Sequence, residues 1–386
     1  MMLDVNKFKM INKAYGYAVG DKILNNIGNK LEEIFGKTAL IARYSNDYFA
    51  ILFDYSDNIY TIISKVINKI ENIKISNVTY NLTVSMGLYK IKEKDKNISA
   101  VIDKAIVAHS ESKENPYERY YIYDDKLEKI VEEDEKIEGL MYNALMRKEF
   151  KVYFQPKVFT DTETMYGAEA LTRWEHNGKI ITPNKFIPLF EKNKFILKLD
   201  TYIFEEVCKN MRLWKEELGI EPIISINVSR DHFMDENFLE KYYMIVAKYD
   251  INPNKIDLEI TESVAFEEGV DIVEIMNRIK KLGFLVSIDD FGTGYSSLSM
   301  IQDMPIDIIK IDKSFIDRIG QKKKNMVDYI IKIAKELDLI TIAEGVETKE
   351  QRDYLLEKGC DIIQGYYYSK PLPIHEFEKY LKTNYK

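Results

Sequence analysis

The sequence predicts an α/β chain of two domains: an N-terminal α/β domain and a C-terminal (β/α)8 barrel. Three observations carry this expectation. The chain has 386 residues, which at roughly 150 residues per domain leaves room for two or three. From residue 150 onward, short β-branched or aromatic runs alternate with amphipathic stretches, the rhythm of a parallel sheet with helical crossovers. Nearly every one of those runs ends in, or closely contains, a polar group, as suits a barrel whose C-terminal strand ends meet on one face.

In the first 123 residues, 19–35 (VGDKILNNIGNKLEEIF) and 59–73 read as helices. Residues 40–53 read as two strands around the polar turn Ser45-Asn46-Asp47, and 78–91 alternate like a strand. A helix at 98–110 precedes a loop around Pro116. Residues 124–138 are rich in charge, with Leu127, Ile130, Val131 and Ile137 on one helical face. They read as a solvated linker helix, carried to 145, between a domain at 1–123 and a domain at 146–386. Barrel strands are expected at 151–158, 165–174, 223–229, 256–262, 284–290, 308–314, 340–346 and 361–368. Helices are expected between them at 236–249, 267–282, 325–337 and 348–358, the last opened by Thr348 with Gln351 at capping-box spacing.

Composition narrows the function classes. Hydrophobic residues at 46% and charged residues at 31% are ordinary for a globular chain and exclude a disordered or fibrous one. Lysine plus arginine is 55 and aspartate plus glutamate 63, a net charge of −8, with a pI near 5.4. Such a chain is a poor coat for DNA, and a phosphate substrate would need local cations to offset its field. Cys208 and Cys360 stand far apart, and none of the four histidines pairs at i,i+4, so neither a disulfide framework nor an HExxH zinc site is expected. The N-terminus is not a signal peptide and no apolar run is long enough to span a membrane, so a cytoplasmic chain is expected.

The polar strand ends are, in chain order, Glu169, Asn227, Glu259 with Glu262, Asp289 with Asp290, Lys310 with Asp312, Glu344 with Glu347, and Gln364. Carboxylates and amides without Cys or His are hard oxygen donors, suited to Mg²⁺ or Mn²⁺. So many carboxylates could not all stay ionised in one pocket without cations. Glu169, Asn227, Glu259 and Asp289 are the best ligands for a first ion. The adjacent Asp289 and Asp290 could bridge to a second, a clamp for in-line attack on phosphorus. Lys310 is the cation on an otherwise apolar strand and could hold a water or a phosphoryl oxygen, and Arg173 could grip a phosphate in bidentate fashion. Residues 289–299 (DDFGTGYSSLS) read as a mobile loop around Gly292 and Gly294, with Glu262 placed to hold it. Tyr366, Tyr367 and Tyr368 read as strand packing, although one could stack a base.

The run YGAEALTRW, with Glu169-Ala170-Leu171, resembles the signature of EAL domains, the bacterial cyclic di-GMP phosphodiesterases. So do ISINVS, LEITES, SIDDFGTGYSSL, IIKIDKSFI, IAEGVET and IQGYYYSKPLP, over about residues 135–386. The resemblance implies a modified TIM barrel, two divalent metals, Mg²⁺ or Mn²⁺, and hydrolysis of cyclic di-GMP to linear pGpG. It implies Glu169, Asn227, Glu259, Asp289, Asp290 and Glu344 as metal ligands, with Glu169, Lys310, Glu344 and Glu262 in catalytic roles. Gln155, Arg173, Asp312, Glu347 and Gln364 fall with the substrate contacts. One departure is FIPLFEKNKF, where the family usually has a small residue and a turn glycine.

The N-terminal region resembles a GGDEF domain, the diguanylate cyclase fold, through DVNKFKMINKAYGYAVGD and TVSMG. Its signature pentapeptide is Ser45-Asn46-Asp47-Tyr48-Phe49. Both glycines are lost, Tyr48 replaces an acid, Lys13 stands where an acid usually contacts guanine, and Lys37 and Leu40 replace the product-inhibition pair. The resemblance therefore implies a degenerate domain without cyclase activity. Asp4, Asn12, Asp21 and Asp47 survive as a GTP site through which the domain could regulate the barrel. The region begins inside its first strand, so a longer protein with an upstream sensor is expected, as is a homodimer. Other readings are a catalytically silent EAL receptor for cyclic di-GMP, a bifunctional cyclase and phosphodiesterase, and a glycosidase barrel using Glu259 and Glu344.

Overall fold

The computed structural model describes residues 1–55, 58–75, 78–114, 118–235, 237–266, 271–292, 301–320 and 326–385. The chain falls into two compact units, Met1–Glu135 and Lys136–Lys386.

In the first unit, strands β1 (Met2–Val5), β2 (Leu40–Ser45), β3 (Tyr48–Leu52), β6 (Val84–Tyr89) and β7 (Tyr120–Tyr123) form one sheet in the order β2-β3-β1-β6-β7. A separate ribbon joins β4 (Asn72–Ile75) to β5 (Val78–Asn81). The helix Tyr17–Phe35 buries Ile23, Leu24, Ile27 and Leu31, a stripe at helical spacing. The expected helix at 59–73 ends at Ile70 because the chain turns into β4, and the expected strand at 78–91 breaks into β5 and β6. The helix Phe8–Tyr15 was not expected. The polar turn at 45–47 is a hairpin, with Asn46 at φ 41. The loop around Pro116 lies outside the described residues.

The charge-rich stretch is one helix, Asp125–Met146, and the compact units divide inside it. Its first turns are not solvated on all sides: Leu127 is fully buried with Ala108 and Tyr123.

In the second unit, β8 (Phe150–Phe159), β9 (Met165–His176), β11 (Ile223–Asn227), β12 (Ile256–Thr261), β13 (Leu285–Phe291), β14 (Ile308–Ile311), β15 (Ile340–Ala343) and β16 (Ile362–Gln364) close into an eight-stranded barrel. Strands β10 (Lys179–Ile181) and β17 (Leu372–Pro373) add to its outside. The barrel is not a regular (β/α)8. Strand β8 pairs antiparallel with both β9 and β16, while the others run parallel. The cause is local: residues 160–164 form a hairpin turn, with the Phe159 N–H donating to the Thr164 carbonyl, and are too short for the crossover that a parallel pair needs. Strand β16 stops at Gln364, so Tyr366–Tyr368 follow it in a turn rather than packing within it. In the departure FIPLFEKNKF, Lys194 takes the left-handed conformation, at φ 63, that a turn glycine would adopt without strain.

Strand alternation fills the barrel in layers. The polar rim residues sit two positions along their strands from a second set. Part of that set is apolar, where Ile308, Ile342 and Ile362 cluster with Phe159, Tyr166 and Ile340. The other part is polar and fully buried: Lys157, Ser225, Asp257 and Ser287.

Candidate active site

Lys310, on β14, is 0% exposed and forms the centre of the rim. Its Nζ lies 2.6 Å from Glu259 Oε2, 2.7 Å from Glu344 Oε1, 3.0 Å from Asp289 Oδ1 and 3.7 Å from Glu169 Oε2. Burial alone would lower the pKa of this lysine, but Glu169, Glu259 and Glu344 hold it well above the ordinary value. Glu169 in turn accepts from Asn227 Nδ2 at 2.9 Å and from Gln364 Nε2 at 2.6 Å. Gln364 also donates to Gln155 Oε1 at 3.3 Å. Strands β8, β9, β11, β12, β13, β14 and β16, with the residue that follows β15, thus each bring one polar group to this cluster.

Adjacent strand residues normally point to opposite faces. Asp289 and Asp290 escape that rule because β13 changes register after Ile288 and Asp290 adopts φ 55, a left-handed conformation that aspartate tolerates better than most residues. One carboxylate oxygen each from Asp289, Asp290 and Glu344 consequently lies within 4.8 Å of the others. Glu344 is followed by Gly345 at φ 65, where a Cβ would run into the Lys313 side chain. Glycine there lets the backbone turn away directly after the acid.

Burial pushes the Glu344 carboxyl up to about 8, against the pull of Lys310. Glu169 is also raised by burial, with Lys310 opposing. Glu259 goes the other way: burial would raise it, but Lys157 and Lys310 outweigh burial and hold it at about 2. The donor set fits hard divalent cations: it is built of carboxylate and amide oxygens with negative charge in excess of the lysines. The buried Gln364 Oε1 has no hydrogen-bond partner among the described residues, an acceptor aimed at something the protein does not supply.

The remaining expected residues sit around this core. Glu262 Oε2 accepts from the Gly292 N–H at 2.7 Å and so holds the exit of β13. The rest of the loop, including Gly294, lies outside the described residues. Asp312 caps a short helix by accepting from the Ser314 N–H at 3.0 Å, and Glu347 pairs with Lys313 at 2.5 Å. Arg173 is half-buried, over the Tyr153 ring, and donates to the Thr172 carbonyl. A cleft of about 310 Å³ opens above the acids, its lining including Leu171, Lys313, Glu347 and Tyr366.

Sequence reasoning did not single out Lys157, Ser225, Asp257 and Ser287. Their signal is period two: Ser225, Asp257 and Ser287 precede Asn227, Glu259 and Asp289 by two residues, and Lys157 follows Gln155 by two on the reversed strand.

In the first unit Asp4 is buried. One of its oxygens meets His109 Nε2 at 2.9 Å and the other meets Lys113 Nζ. Tyr48 lies against both partners, with His109 5.2 Å from its ring centroid and Lys113 Nζ 5.5 Å from it. Asp47 is half-buried, and burial raises its pKa, with the Asp4 charge adding to the effect. Asn12 Oδ1 is buried without a partner among the described residues, while Asp21 is exposed.

A family profile described as EAL domain matches residues 141–371, and one described as Diguanylate cyclase, GGDEF domain matches residues 1–119. Signaling protein YkoW of Bacillus subtilis (strain 168) is 32% identical over 391 residues, covering 98% of this chain and 48% of that protein. The Bifunctional diguanylate cyclase/cyclic di-GMP phosphodiesterase MucR of Pseudomonas aeruginosa is 28% identical, covering 97% of this chain and 56% of that protein. The chain thus spans about half the length of the curated relatives it matches. The solved structure described as PaMucR Phosphodiesterase, c-di-GMP complex, is similar at a TM-score of 0.60 and 33% identity, covering 63% of this chain and 99% of that one. Among the described residues no helix is long and apolar enough to cross a membrane. Closed barrel, polar rim and sequence match agree, and the chain belongs to the EAL domain family, with a GGDEF domain ahead of its barrel.

Proposed function

We propose that the barrel hydrolyses cyclic di-GMP to linear pGpG, using two divalent cations, Mg²⁺ or Mn²⁺. The observation that carries this reading is Lys310 enclosed by Glu259, Glu344, Asp289 and Glu169 at one end of a closed barrel. The relative MucR and the structure described as a c-di-GMP complex support the substrate. Glu169, Asn227, Glu259, Asp289, Asp290 and Glu344 would hold the cations. When bound, these supply Lewis acidity to the phosphoryl oxygens and lower the pKa of water.

The chain's own residues do the rest. Lys310 orients water or a phosphoryl oxygen and offsets charge that develops on the phosphate. Gln364, which also donates to Gln155, fixes the pose of Glu169, and Arg173 pairs with a phosphate. Glu262 anchors the exit of β13. Asp312 and Glu347 border the substrate, and Tyr366 offers a face to a guanine. Hydrolysis adds water across one P–O bond: the oxygen joins phosphorus and a proton goes to the departing 3′ oxygen. A silent receptor would be expected to lack one of these groups, and all are in place.

In this reading the GGDEF domain makes no cyclic di-GMP, because Tyr48 replaces an acid. It acts as a GTP sensor through Asp4, Asn12, Asp21 and Asp47, in a cytoplasmic homodimer. The test of the central claim is turnover of cyclic di-GMP with Mg²⁺ or Mn²⁺. Excess chelator should abolish it, and Glu169→Ala should lower it at least ~100-fold with an unchanged circular dichroism spectrum. Full activity in chelator overturns the reading.

A further inference from the structure

We propose that Lys157 is a positioning residue that holds Glu259 in its metal-binding pose from beneath the rim. The inference rests on the reading of the barrel as a two-cation site and adds a residue which that reading does not use. Lys157 is 0% exposed, and its Nζ lies 2.7 Å from Glu259 Oε1 and 2.5 Å from Ser225 Oγ. Ser225 donates to Asp257 Oδ2 at 2.7 Å, and Ser287 donates to the same oxygen at 3.0 Å. One ammonium, two hydroxyls and one carboxylate from β8, β11, β12 and β13 therefore make a buried polar layer, and its upward contact is Glu259.

Glu259 is gripped by both buried lysines, Lys157 on Oε1 and Lys310 on Oε2. The two grips differ in kind. Lys310 is shared with Glu344, Asp289 and Glu169, so cations entering the rim compete with it for the same oxygens. Lys157 lies on the other side of the carboxylate, and Glu259 is the rim acid it bonds. It keeps its hold whichever cations Lys310 yields to. A ligand held from behind by a buried hydrogen-bond partner stays oriented and, here, deprotonated, and loss of such a partner typically weakens metal affinity ~10–100-fold. The reversed β8 makes the contact possible. Gln155 and Lys157 share the inward face, and antiparallel pairing sets Gln155 beside Glu169 while Lys157 falls one layer lower.

The test is Mn²⁺ binding by calorimetry, with steady-state kinetics beside it, on the full chain. Lys157→Met removes the ammonium. Because it strands two buried carboxylates, Lys157→Met with Asp257→Asn is made as well, so that one charge of each sign leaves the layer together. Both variants should bind Mn²⁺ ~10–100-fold more weakly. Saturating Mn²⁺ should return kcat to within a few-fold of the parent, with KM for cyclic di-GMP little changed. In a Glu259→Gln background, Lys157→Met should add no further loss of affinity. A lower Tm with an unchanged Mn²⁺ isotherm, or an undiminished Lys157→Met effect in the Glu259→Gln background, overturns the proposal alone. A parent chain that binds Mn²⁺ but leaves cyclic di-GMP intact overturns the phosphodiesterase reading, while the isotherms still decide the role of Lys157. A parent chain that binds no Mn²⁺ overturns both.

Discussion

In the GGDEF domain, Asp4 has one oxygen on His109 and the other on Lys113. In the barrel, Lys310 is divided among Glu259, Glu344, Asp289 and Glu169, and Asp290 lies close by. The first arrangement balances its own charge. The second cannot: burial pushes the Glu344 carboxyl up to about 8, while two lysines hold Glu259 low. Buried carboxylates in excess of their counter-charges are costly to keep ionised, so a protein that gathers them at an open cleft has left the balance to be completed by cations from solution. The same residue type thus closes one site and opens the other.

The sharpest way to break this contrast is Lys310→Met. Turnover of cyclic di-GMP should fall at least ~10³-fold, while Mn²⁺ binding should hold or tighten because a competitor for the same oxygens has gone. Retained turnover would show that the lysine only balances charge. A smaller effect is expected from the other domain. GTP with Mg²⁺ should yield no cyclic di-GMP but should raise phosphodiesterase activity by about 5-fold or more if the domain senses nucleotide. A cation held on Asp4 must displace Lys113, so rates flat across a GTP titration would mean that the self-paired acid stays closed.

The smallest effect is about one proton. With Glu344 at about 8, its carboxyl is mostly neutral at pH 7, and cation binding there must expel that proton. Calorimetry of Mn²⁺ binding in buffers of differing ionisation enthalpy should report release near pH 7 that fades above pH ~9. The linked stability has a definite sign. The folded cation-free chain binds more protons than the unfolded one between the ordinary carboxyl range and about 8, so this group makes it less stable as pH rises through that window. Equal proton release at pH 7 and above pH ~9 would contradict the assignment.

Much of the rim was legible because strand ends leave a strong signal: acids and amides where β-branched runs stop, over and over, with Lys310 alone among isoleucines. What escaped is what depends on direction and depth. The reversal of β8 turns on a short hairpin at 160–164, and hydrophobic alternation is blind to strand sense. Lys157 and Asp257 went unremarked, because period two fixes which residues share a face but not how deep in the barrel each one lies. Depth misled in the linker as well: charge in 124–138 suggested solvent, but Leu127 is fully buried. The convergence of Asp289 and Asp290 was expected, but the left-handed residue that achieves it is announced by no pattern of apolar positions.

The lower layer has one more consequence. Ile308, Ile342 and Ile362 on one side and Lys157, Asp257 and Ser287 on the other are all sealed from solvent, so the described part of the barrel is a cup with a filled base. Among the described residues, the cleft beside Tyr366 and Glu347 is the opening above the acids. In the proposed reaction a linear product still lodged in that cleft would bar the next cyclic molecule, and its accumulation should slow turnover as a competitive plug.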